Sequence, residues 1–299
     1  MFKKSLLFFL LINTAALISC ATVEKQQRTI YSSDIKPDTT VRINQDHPVS
    51  VLRVATLNMA HGRKDGFNQL FVGEAKHKAN LDDIAEVLGR YRPHVVGLQE
   101  ADAESGWSGS FDHVTYLASA AEYPWRTHVS NAQSWLFSFG TALLSSVPIN
   151  ESINHTFESS PPTLDKGFSL GQITWPSAKE GELRKIDLIS VHLDFSRKEV
   201  RQVQIKEMVE ILSSRMNPTI IMGDFNSEWL AKESVIKELA TKSRFITYRS
   251  DSGDYDTYKD KRLDWILITK DMEFVSYEVL PDILSDHSMI VADIRFKDN

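Results

Sequence analysis

The stretch "TIIMGDFNSEWL", residues 219–230, decides how this chain folds. Three apolar residues, Ile220 to Met222, predict a strand that enters a core, and Gly223 ends the apolar run. Asp224 and Asn226 follow at once. Because residues i and i+2 of an extended chain point to the same side, the two polar side chains can converge on one point. The stretch therefore predicts a polar site at the carboxyl end of a buried strand.

Further apolar runs of the same kind lie along the chain, and several end in a polar residue. The predicted strands are "VSVLRVATLN" (49–58), "HVVGLQE" (94–100), "TALLSSVPI" (141–149), "LRKIDLISVHLDF" (183–195), "RLDWILI" (262–268) and "MIVADIRF" (289–296). Asn58 and Glu100 end the first two, His192 lies near the end of the fourth, and Asp286 and His287 precede the last. Sites form at strand ends in sheets of this kind, so these residues are candidates for one site.

Helical patterns separate some of these strands. "NLDDIAEVLGRY", residues 80–91, places apolar residues on one helical face, and Asn80 is its predicted N-cap. Residues Ser196 to Glu199 form a capping-box pattern that opens a second helix before Pro218. Some strands alternate with helices while others follow one another directly, which predicts mixed sheets with helices outside. No internal boundary is visible, so residues 49–299 are predicted to form one domain.

The first residues, "MFKKSLLFFLLINTAALISC", have the pattern of an export signal: a basic start, an apolar run and small residues. Leu17 to Cys20 resemble the lipobox of bacterial lipoproteins, in which the signal is cut before a cysteine that then carries lipid. Cys20 is the only cysteine in the chain. The resemblance implies a signal peptide at 1–19, a lipidated Cys20 with a polar tether over 20–48, and a protein exported to the periplasmic or outer-membrane face. An ordinary cleaved signal is the alternative.

The charge of the chain limits its partners only weakly. The formal net charge is −6, and it becomes two units more negative when the two lysines of residues 1–19 are removed. No general positive field is available to gather polyanions, which disfavours a nucleic-acid specialist. A local basic patch or a bound metal would still allow a nucleic-acid substrate.

Seven segments, taken in order, resemble the endonuclease/exonuclease/phosphatase superfamily, whose members include deoxyribonucleases and sphingomyelinases. They are "ATLNMAHG", "VVGLQE", "GTALLSSVPI", "SVHLDF", "IIMGDFNS", "RLDWILI" and "LSDHSMI", and they span residues 54–290. The Gly-Asp-Phe-Asn and Ser-Asp-His segments are the most specific. The resemblance implies an α/β (α+β) fold: a four-layer sandwich of two mixed β-sheets packed face to face, with helices outside.

The resemblance also implies a set of site residues around one divalent cation, Mg²⁺ or Mn²⁺. Glu100, Asn58 and Asp286 are the implied metal ligands, and their hard oxygen atoms suit those ions. The implied catalytic residues are His192, Asp224, Asn226, Asp264 and His287. Asp224 would orient or deprotonate the attacking water, Asn226 would hold the water or the phosphate, and His192 and His287 would donate to phosphate oxygens. Asp264 would fix the ring of His287.

The resulting hypothesis is a metal-dependent phosphate-ester hydrolase, anchored by lipid outside the cytoplasm. Its substrate is a nucleic acid, a phospholipid head group or a small phosphate ester, and it is expected to be a monomer with no obligate protein partner. The alternative is a ligand-binding lipoprotein that has lost turnover.

Six other residues near the motifs carry open interpretations. Asp194 either orients His192 or caps the following helix. His61 either contacts substrate or is a loop residue beside Gly62, which is the favoured interpretation. The aromatic residues of the loop after Glu100 are expected to pack a helix onto the sheet; of these, Trp107 is the best candidate for an exposed contact instead. Lys259, Lys261 and Arg262 belong to a solvated loop or touch phosphate.

Overall fold

The computed structural model describes residues 31–32, 50–177, 179, 181–242 and 244–297. The predicted signal peptide, Cys20 and most of the predicted tether lie outside these residues. Within the described part of the chain, no helix is long and apolar enough to cross a membrane.

Thirteen strands and four α-helices form the described structure. The strands are β1 (Tyr31–Ser32), β2 (Leu52–Asn58), β3 (Val95–Asp102), β4 (Trp125–Gln133), β5 (Ser138–Ser145), β6 (Glu151–Thr156), β7 (Gly167–Pro176), β8 (Leu183–His192), β9 (Thr219–Asp224), β10 (Phe245–Thr247), β11 (Asp264–Thr269), β12 (Met272–Val279) and β13 (Ile290–Phe296). The helices are α1 (Glu74–Tyr91), α2 (His113–Ala120), α3 (Lys198–Leu212) and α4 (Val235–Lys242). Three short 3₁₀ helices, at Ala60–Gly62, Gln69–Phe71 and Gly106–Ser108, lie in the loops.

The described strands form two mixed sheets. The first has the order β1-β4-β5-β3-β2-β13-β12 and the second β10-β11-β9-β8-β7-β6. Each sheet contains one parallel pair, β2 with β3 and β8 with β9, and the remaining pairs are antiparallel. The predicted fold class is confirmed.

Three apolar cores separate four layers. One core lies between the sheets, a second between the first sheet and α1 and α2, and a third between the second sheet and α3 and α4. Neighbouring residues of one strand enter different cores: Ile220 and Met222 pack between the sheets, whereas Ile221 packs under the helices. A strand that is covered on both faces needs an apolar residue at every position, which explains the unbroken apolar runs of the sequence.

The two sheets approach each other closely just before the strand ends. A Cβ atom at Gly97 would lie 2.8 Å from Met222 Cγ, so a larger residue would force the sheets apart. Next to this contact, Gln99 Nε2 donates to Ser190 Oγ at 2.9 Å, and Ser190 Oγ donates to the Leu98 carbonyl at 2.9 Å. These hydrogen bonds fix the carboxyl ends of β3 and β8 relative to each other.

Two helix starts differ from the sequence prediction. Helix α1 begins at Glu74 with Gly73 as its N-cap, so Asn80 is a buried residue within the helix, and its Nδ2 donates to the Gly62 carbonyl at 2.9 Å. Helix α3 begins at Lys198 with Arg197 as its N-cap and no side-chain cap, and the carboxylate of Asp194 holds the preceding turn by accepting from the backbone amides of Ser196 and Arg197. Asp194 therefore serves the helix rather than His192.

Candidate active site

Strand pairing places the predicted site residues at one edge of the sandwich. His192 and Asp224 lie directly opposite each other in the parallel pair β8–β9, and Asp264 lies opposite Asp224 in the antiparallel pair β9–β11. Gly223 makes this close pairing possible. Its φ of 141° suits glycine, and a Cβ atom there would lie 2.1 Å from the Val191 carbonyl oxygen.

The strand ends of both sheets line one cleft of about 710 Å³. Of the predicted site residues, those lining it are Asn58, Glu100, His192, Asp224, Asn226, Asp286 and His287. His192 Nε2 lies 3.9 Å from a carboxylate oxygen of Glu100 and 3.5 Å from one of Asp224. The structure thus brings together carboxylates that are far apart in sequence and that belong to different sheets.

Asp224 is the centre of this arrangement. Its Oδ2 accepts a hydrogen bond from Asn58 Nδ2 at 3.0 Å and lies 4.0 Å from His287 Nε2. Burial and, next, the nearby Asp264 charge raise the pKa of Asp224 to about 7, although His287 acts in the opposite direction. A carboxylate whose pKa lies near neutrality is suited to accept a proton from water.

Asn226 reaches the cleft by a different geometry from the one expected. Its φ of 49° ends the extended conformation, so the i and i+2 argument does not apply. Its backbone amide donates to Asp224 Oδ1 at 2.9 Å, and its side-chain Nδ2 donates to the Leu193 carbonyl at 3.1 Å. Asn226 therefore holds the turn that fixes the Asp224 carboxylate, while it still lines the cleft.

His287 is held by a buried carboxylate behind it. Its Nδ1 lies 2.7 Å from Asp264 Oδ2, which also accepts from Thr257 Oγ1 at 2.6 Å. Burial lowers the pKa of His287, but the charge of Asp264 and its hydrogen bond raise it to about 10. The ring is therefore an imidazolium at neutral pH, with Nε2–H facing the cleft as a donor.

Two residues behind Glu100 were not recognised as site residues from the sequence. His61 is buried, with Nε2 3.4 Å from Glu100 Oε2 and Nδ1 2.8 Å from Asp102 Oδ2. The other oxygen of Asp102 accepts from Trp107 Nε1 at 2.6 Å and from Ser108 Oγ at 2.9 Å. His61 is thus a fixed bridge between two carboxylates and not a simple loop residue. Trp107 is partly buried by the same network.

The backbone around these residues is unusual. Ala60, His61 and Glu100 have φ values of 45°, 57° and 47°, which are uncommon for residues with a Cβ. Burial raises the pKa of Glu100, but the charges of His61, Lys166 and other neighbours outweigh it and lower this pKa to about 2. The second carboxylate at Asp102 was the available signal, but the regular alternation of the strand is interrupted at Glu100, so the spacing alone did not fix which way the two side chains point.

Lys166 is a third site residue that the sequence did not reveal. It precedes β7, and the hairpin pairing of Gly167 with His192 places its Nζ 3.4 Å and 3.3 Å from the two ring nitrogens of His192. Burial lowers the pKa of Lys166, and burial together with the Lys166 charge keeps the pKa of His192 well below its usual value. His192 is therefore a neutral imidazole beside the buried side chain of Lys166.

Several further basic residues line the cleft, among them Arg63, Lys259 and Lys261, whereas Arg262 does not. Arg63 lines the cleft, and its Nη2 lies 2.5 Å from Asp286 Oδ2. Asp286, a predicted metal ligand, is therefore paired with an arginine. Lys259 and Lys261 also line the cleft. Arg262 does not reach it, because its guanidinium lies 3.9 Å from the centre of the Trp265 ring and is buried.

A comparison with protein families identifies the chain. A model of the Endonuclease/Exonuclease/phosphatase family matches residues 55–287. The chain belongs to this family. Members of the Endonuclease/Exonuclease/phosphatase family are phosphoester hydrolases, which places the chain among the hydrolases of phosphate esters. A comparison with curated protein sequences finds no significant match.

Solved structures share the fold at low sequence identity. The human Nocturnin catalytic domain with bound sulfate is 20% identical, covers 91% of this chain and 97% of its own, and has a TM-score of 0.62. A mannosyl-6-phosphatase from Bacteroides thetaiotaomicron is 15% identical, with coverages of 82% and 100% and a TM-score of 0.59. A beta toxin structure from Staphylococcus aureus is 20% identical, with coverages of 81% and 99% and a TM-score of 0.57.

The donor set of the cleft fits the divalent metals that enzymes of this family typically use. Asp224, Asp264 and His287 each offer one potential ligand atom within 4.8 Å of the others. Asp264 Oδ1 is buried and has no hydrogen-bond partner among the described residues. Glu100 adds a carboxylate that stays ionised, and carboxylate and amide oxygens are the preferred ligands of hard cations.

Proposed function

We propose that this chain hydrolyses phosphate esters with the help of Mg²⁺ or Mn²⁺, and that it does so outside the cytoplasm on a lipid anchor. The observation that carries the proposal is the convergence of three side chains in one cleft: a carboxylate oxygen of Glu100 and one of Asp224 each lie within 4 Å of His192 Nε2. Phosphate-ester hydrolysis needs a positioned water, neutralisation of the phosphate oxygens and a donor for the leaving oxygen.

A divalent cation would be held by Glu100 and Asn58, with Asp286 as a further ligand when it leaves Arg63. When bound, such a cation supplies positive charge for the nonbridging phosphate oxygens. The low pKa of Glu100 keeps its carboxylate ionised for this role over the whole physiological range. His61, fixed by Asp102, holds the carboxylate from behind and limits its rotation.

The side chains of the cleft supply the remaining parts of the reaction. Asp224 orients the attacking water and accepts its proton. The imidazolium of His287 donates from Nε2 to a phosphate oxygen or to the leaving oxygen, while Asp264 holds the ring. The neutral ring of His192 lines the cleft, and the ammonium group of Lys166, in contact with that ring, provides a buried positive charge close to the phosphate.

The test is a substrate screen on the purified full chain. DNA, RNA, sphingomyelin, other phospholipids, inositol phosphates and small phosphate esters are each incubated with Mg²⁺, Mn²⁺ or Ca²⁺. We expect hydrolysis of at least one class, its loss on chelation, and its return with Mg²⁺ or Mn²⁺. Glu100→Gln should remove metal-dependent turnover, whereas Glu104→Gln, which changes an exposed glutamate nearby, should leave it intact.

Two outcomes would contradict the proposal. Undiminished turnover by metal-stripped protein would remove Glu100 from its role. A protein that hydrolyses nothing in the screen yet binds one of the compounds tightly would be a ligand-binding lipoprotein.

The lipid anchor rests on Cys20 and the export-like segment before it. A mass measurement on the membrane fraction of a bacterial host should show acyl groups on the chain, and Cys20→Ala should abolish them. A chain found without lipid would leave the hydrolase intact and remove the anchor. Location at the periplasmic or outer-membrane face, and the monomeric state, remain predictions.

A further inference from the structure

Two loop segments beside the cleft expose aromatic rings without any charged residue. Residues 66–73, "GFNQLFVG", carry Phe67 and Phe71, which are 95% and 82% exposed, and residues 134–137, "SWLF", carry Trp135, which is 93% exposed. Isolated exposed apolar residues are common on soluble proteins. Three nearly fully exposed aromatic rings on two uncharged loops are a different pattern, which is typical of a surface that meets another apolar phase.

The two segments are neighbours in the fold. The 3₁₀ helix Gly106–Ser108 lies between them: it contacts the 3₁₀ helix Gln69–Phe71 of the first segment, and the amide of Trp107 donates to the Leu136 carbonyl of the second at 3.1 Å. The Trp107 ring also stacks on Phe137, with ring centres 4.6 Å apart. The segments thus form one surface, which we call the aromatic face.

The loops of the aromatic face satisfy several of their backbone amides internally. Asn68 accepts from the amide of Leu70 through Oδ1 and from the amide of Phe71 through its carbonyl. Ser134 Oγ accepts from the amides of Leu136 and Phe137, and the amide of Ser134 donates to the Phe137 carbonyl. Such loops lose few hydrogen bonds when water is removed, which lowers the cost of entering a lipid interface.

The aromatic face and the mouth of the cleft share an edge. Arg63 lines the cleft, and its Nη1 donates to the Gly66 carbonyl at 2.5 Å. On the other side, Phe139 pairs with Asp102 across β5 and β3, so the hairpin 134–137 rises from the end of the sheet that carries Glu100. A bilayer against the aromatic face would lie beside the cleft opening.

The short strand β1 has an orientation that relates Cys20 to the aromatic face. Tyr31 pairs with Arg126 and Ser32 with Trp125 in antiparallel register, so the N-terminal direction of β1 runs along β4 toward Gln133 and the hairpin. The length of β4 from Arg126, opposite Tyr31, to Gln133 is roughly 23 Å at the usual strand rise. Residues 20–31 can span at most roughly 38 Å. Cys20 is therefore close enough in sequence to Tyr31 for its lipid to enter the same membrane surface as Trp135.

We propose that the aromatic face docks on the lipid bilayer, with Phe67, Phe71 and Trp135 in the headgroup and upper acyl region. The proposal rests on the proposed lipid-anchored function. It holds the cleft at the level of the lipid head groups, so phosphate esters at the membrane surface reach the site without leaving the bilayer. The lipid on Cys20 retains the protein on the membrane, and the aromatic face fixes its orientation.

Quenching of tryptophan fluorescence by brominated phospholipid tests the docking. The full chain, processed by a bacterial host, is reconstituted into phosphatidylethanolamine and phosphatidylglycerol vesicles with and without brominated phosphatidylcholine. Trp135 is one of six tryptophans, so we expect roughly a sixth of the emission to be quenched. Trp135→Phe should remove this component, and Trp229→Phe, the matched control, should keep it. Replacing Phe67 and Phe71 with Ser should lower the quenched fraction by at least about half.

The outcomes separate the docking surface from the hydrolase. Vesicle-bound protein whose quenching is the same in wild type and Trp135→Phe overturns the docking surface. Hydrolysis of a water-soluble phosphate ester is measured in parallel and should be equal in all variants. If wild type hydrolyses nothing in the screen while Trp135 is quenched, the proposed activity fails and the docking surface stands. If the chain carries no lipid, quenching of Trp135 on added vesicles supports the surface, and its absence overturns it.

Discussion

The substitution Asp224→Asn should separate stability from activity, and it should do so with a dependence on pH. In the metal-free protein, burial and the Asp264 charge raise the pKa of Asp224 from 3.8 to about 7. The folded state therefore holds this proton more tightly than the unfolded chain. Ionisation of Asp224 destabilises the fold, by an amount that grows from pH 4 to pH 7 and then stays constant. The rise in pKa corresponds to a loss of about 4 kcal/mol in the free energy of unfolding at pH 8.

Asparagine removes this penalty and introduces a smaller one. The amide oxygen can still accept from the Asn226 backbone amide, but the amide nitrogen would face Asn58 Nδ2, which is 3.0 Å from the present Asp224 Oδ2. An unmade buried hydrogen bond costs about 1–3 kcal/mol. At pH 8 the variant should be more stable than wild type by about 1–3 kcal/mol, and near pH 4, where wild type is protonated, it should be less stable by a similar amount.

Thermal unfolding with a chelator present measures this effect. For a domain of this size, 1 kcal/mol changes the melting temperature by about 2–4 °C. The difference in melting temperature between variant and wild type should therefore change sign between pH 4 and pH 8. The same variant, loaded with metal, should lose about 10²–10⁴-fold in kcat because the proton acceptor is gone. A difference in melting temperature that is independent of pH would refute the electrostatic argument, and near-normal kcat would remove Asp224 from the chemistry.

Two further predictions concern the residues behind the cleft. Asp102→Asn should reduce activity by about 10–100-fold and raise the metal concentration for half-maximal activity, because His61 then holds Glu100 less firmly. Asp187→Asn, which also removes a fully buried carboxylate but in the middle of β8, opposite the first residue of β9, should alter melting temperature only. Equal metal dependence in the two variants would assign Asp102 to stability alone. Lys166→Met should raise KM about tenfold or more without lowering the melting temperature, because a buried ammonium group contributes a charge to phosphate and little to folding. An unchanged KM would place Lys166 outside the substrate site.

The sequence determined the layers of the sandwich and the identity of most cleft residues. Unbroken apolar runs such as Ile220 to Met222 require a strand that is covered on both faces. A polar residue at the end of such a run therefore lies where the strand leaves the core. This is why Asn58, Glu100, His192 and Asp224 could be named before their positions were known. Short or partly exposed strands such as β4, β6 and β12 carry a weaker pattern and were not predicted.

How those residues act on one another depends on the packing of the two sheets. The partners of Glu100 come from the loop after β2 and from the start of β7, and no local pattern marks His61 or Lys166 because their distance from Glu100 depends on strand pairing across two sheets. The geometry of Asn226 and the turn that Asp194 holds before α3 depend on single backbone angles and on hydrogen bonds that several conformations of the same sequence would allow. Local patterns fix which face of a strand is buried, whereas charge and hydrogen bonding in the cleft depend on distances of a few ångströms that the packing of the sheets sets.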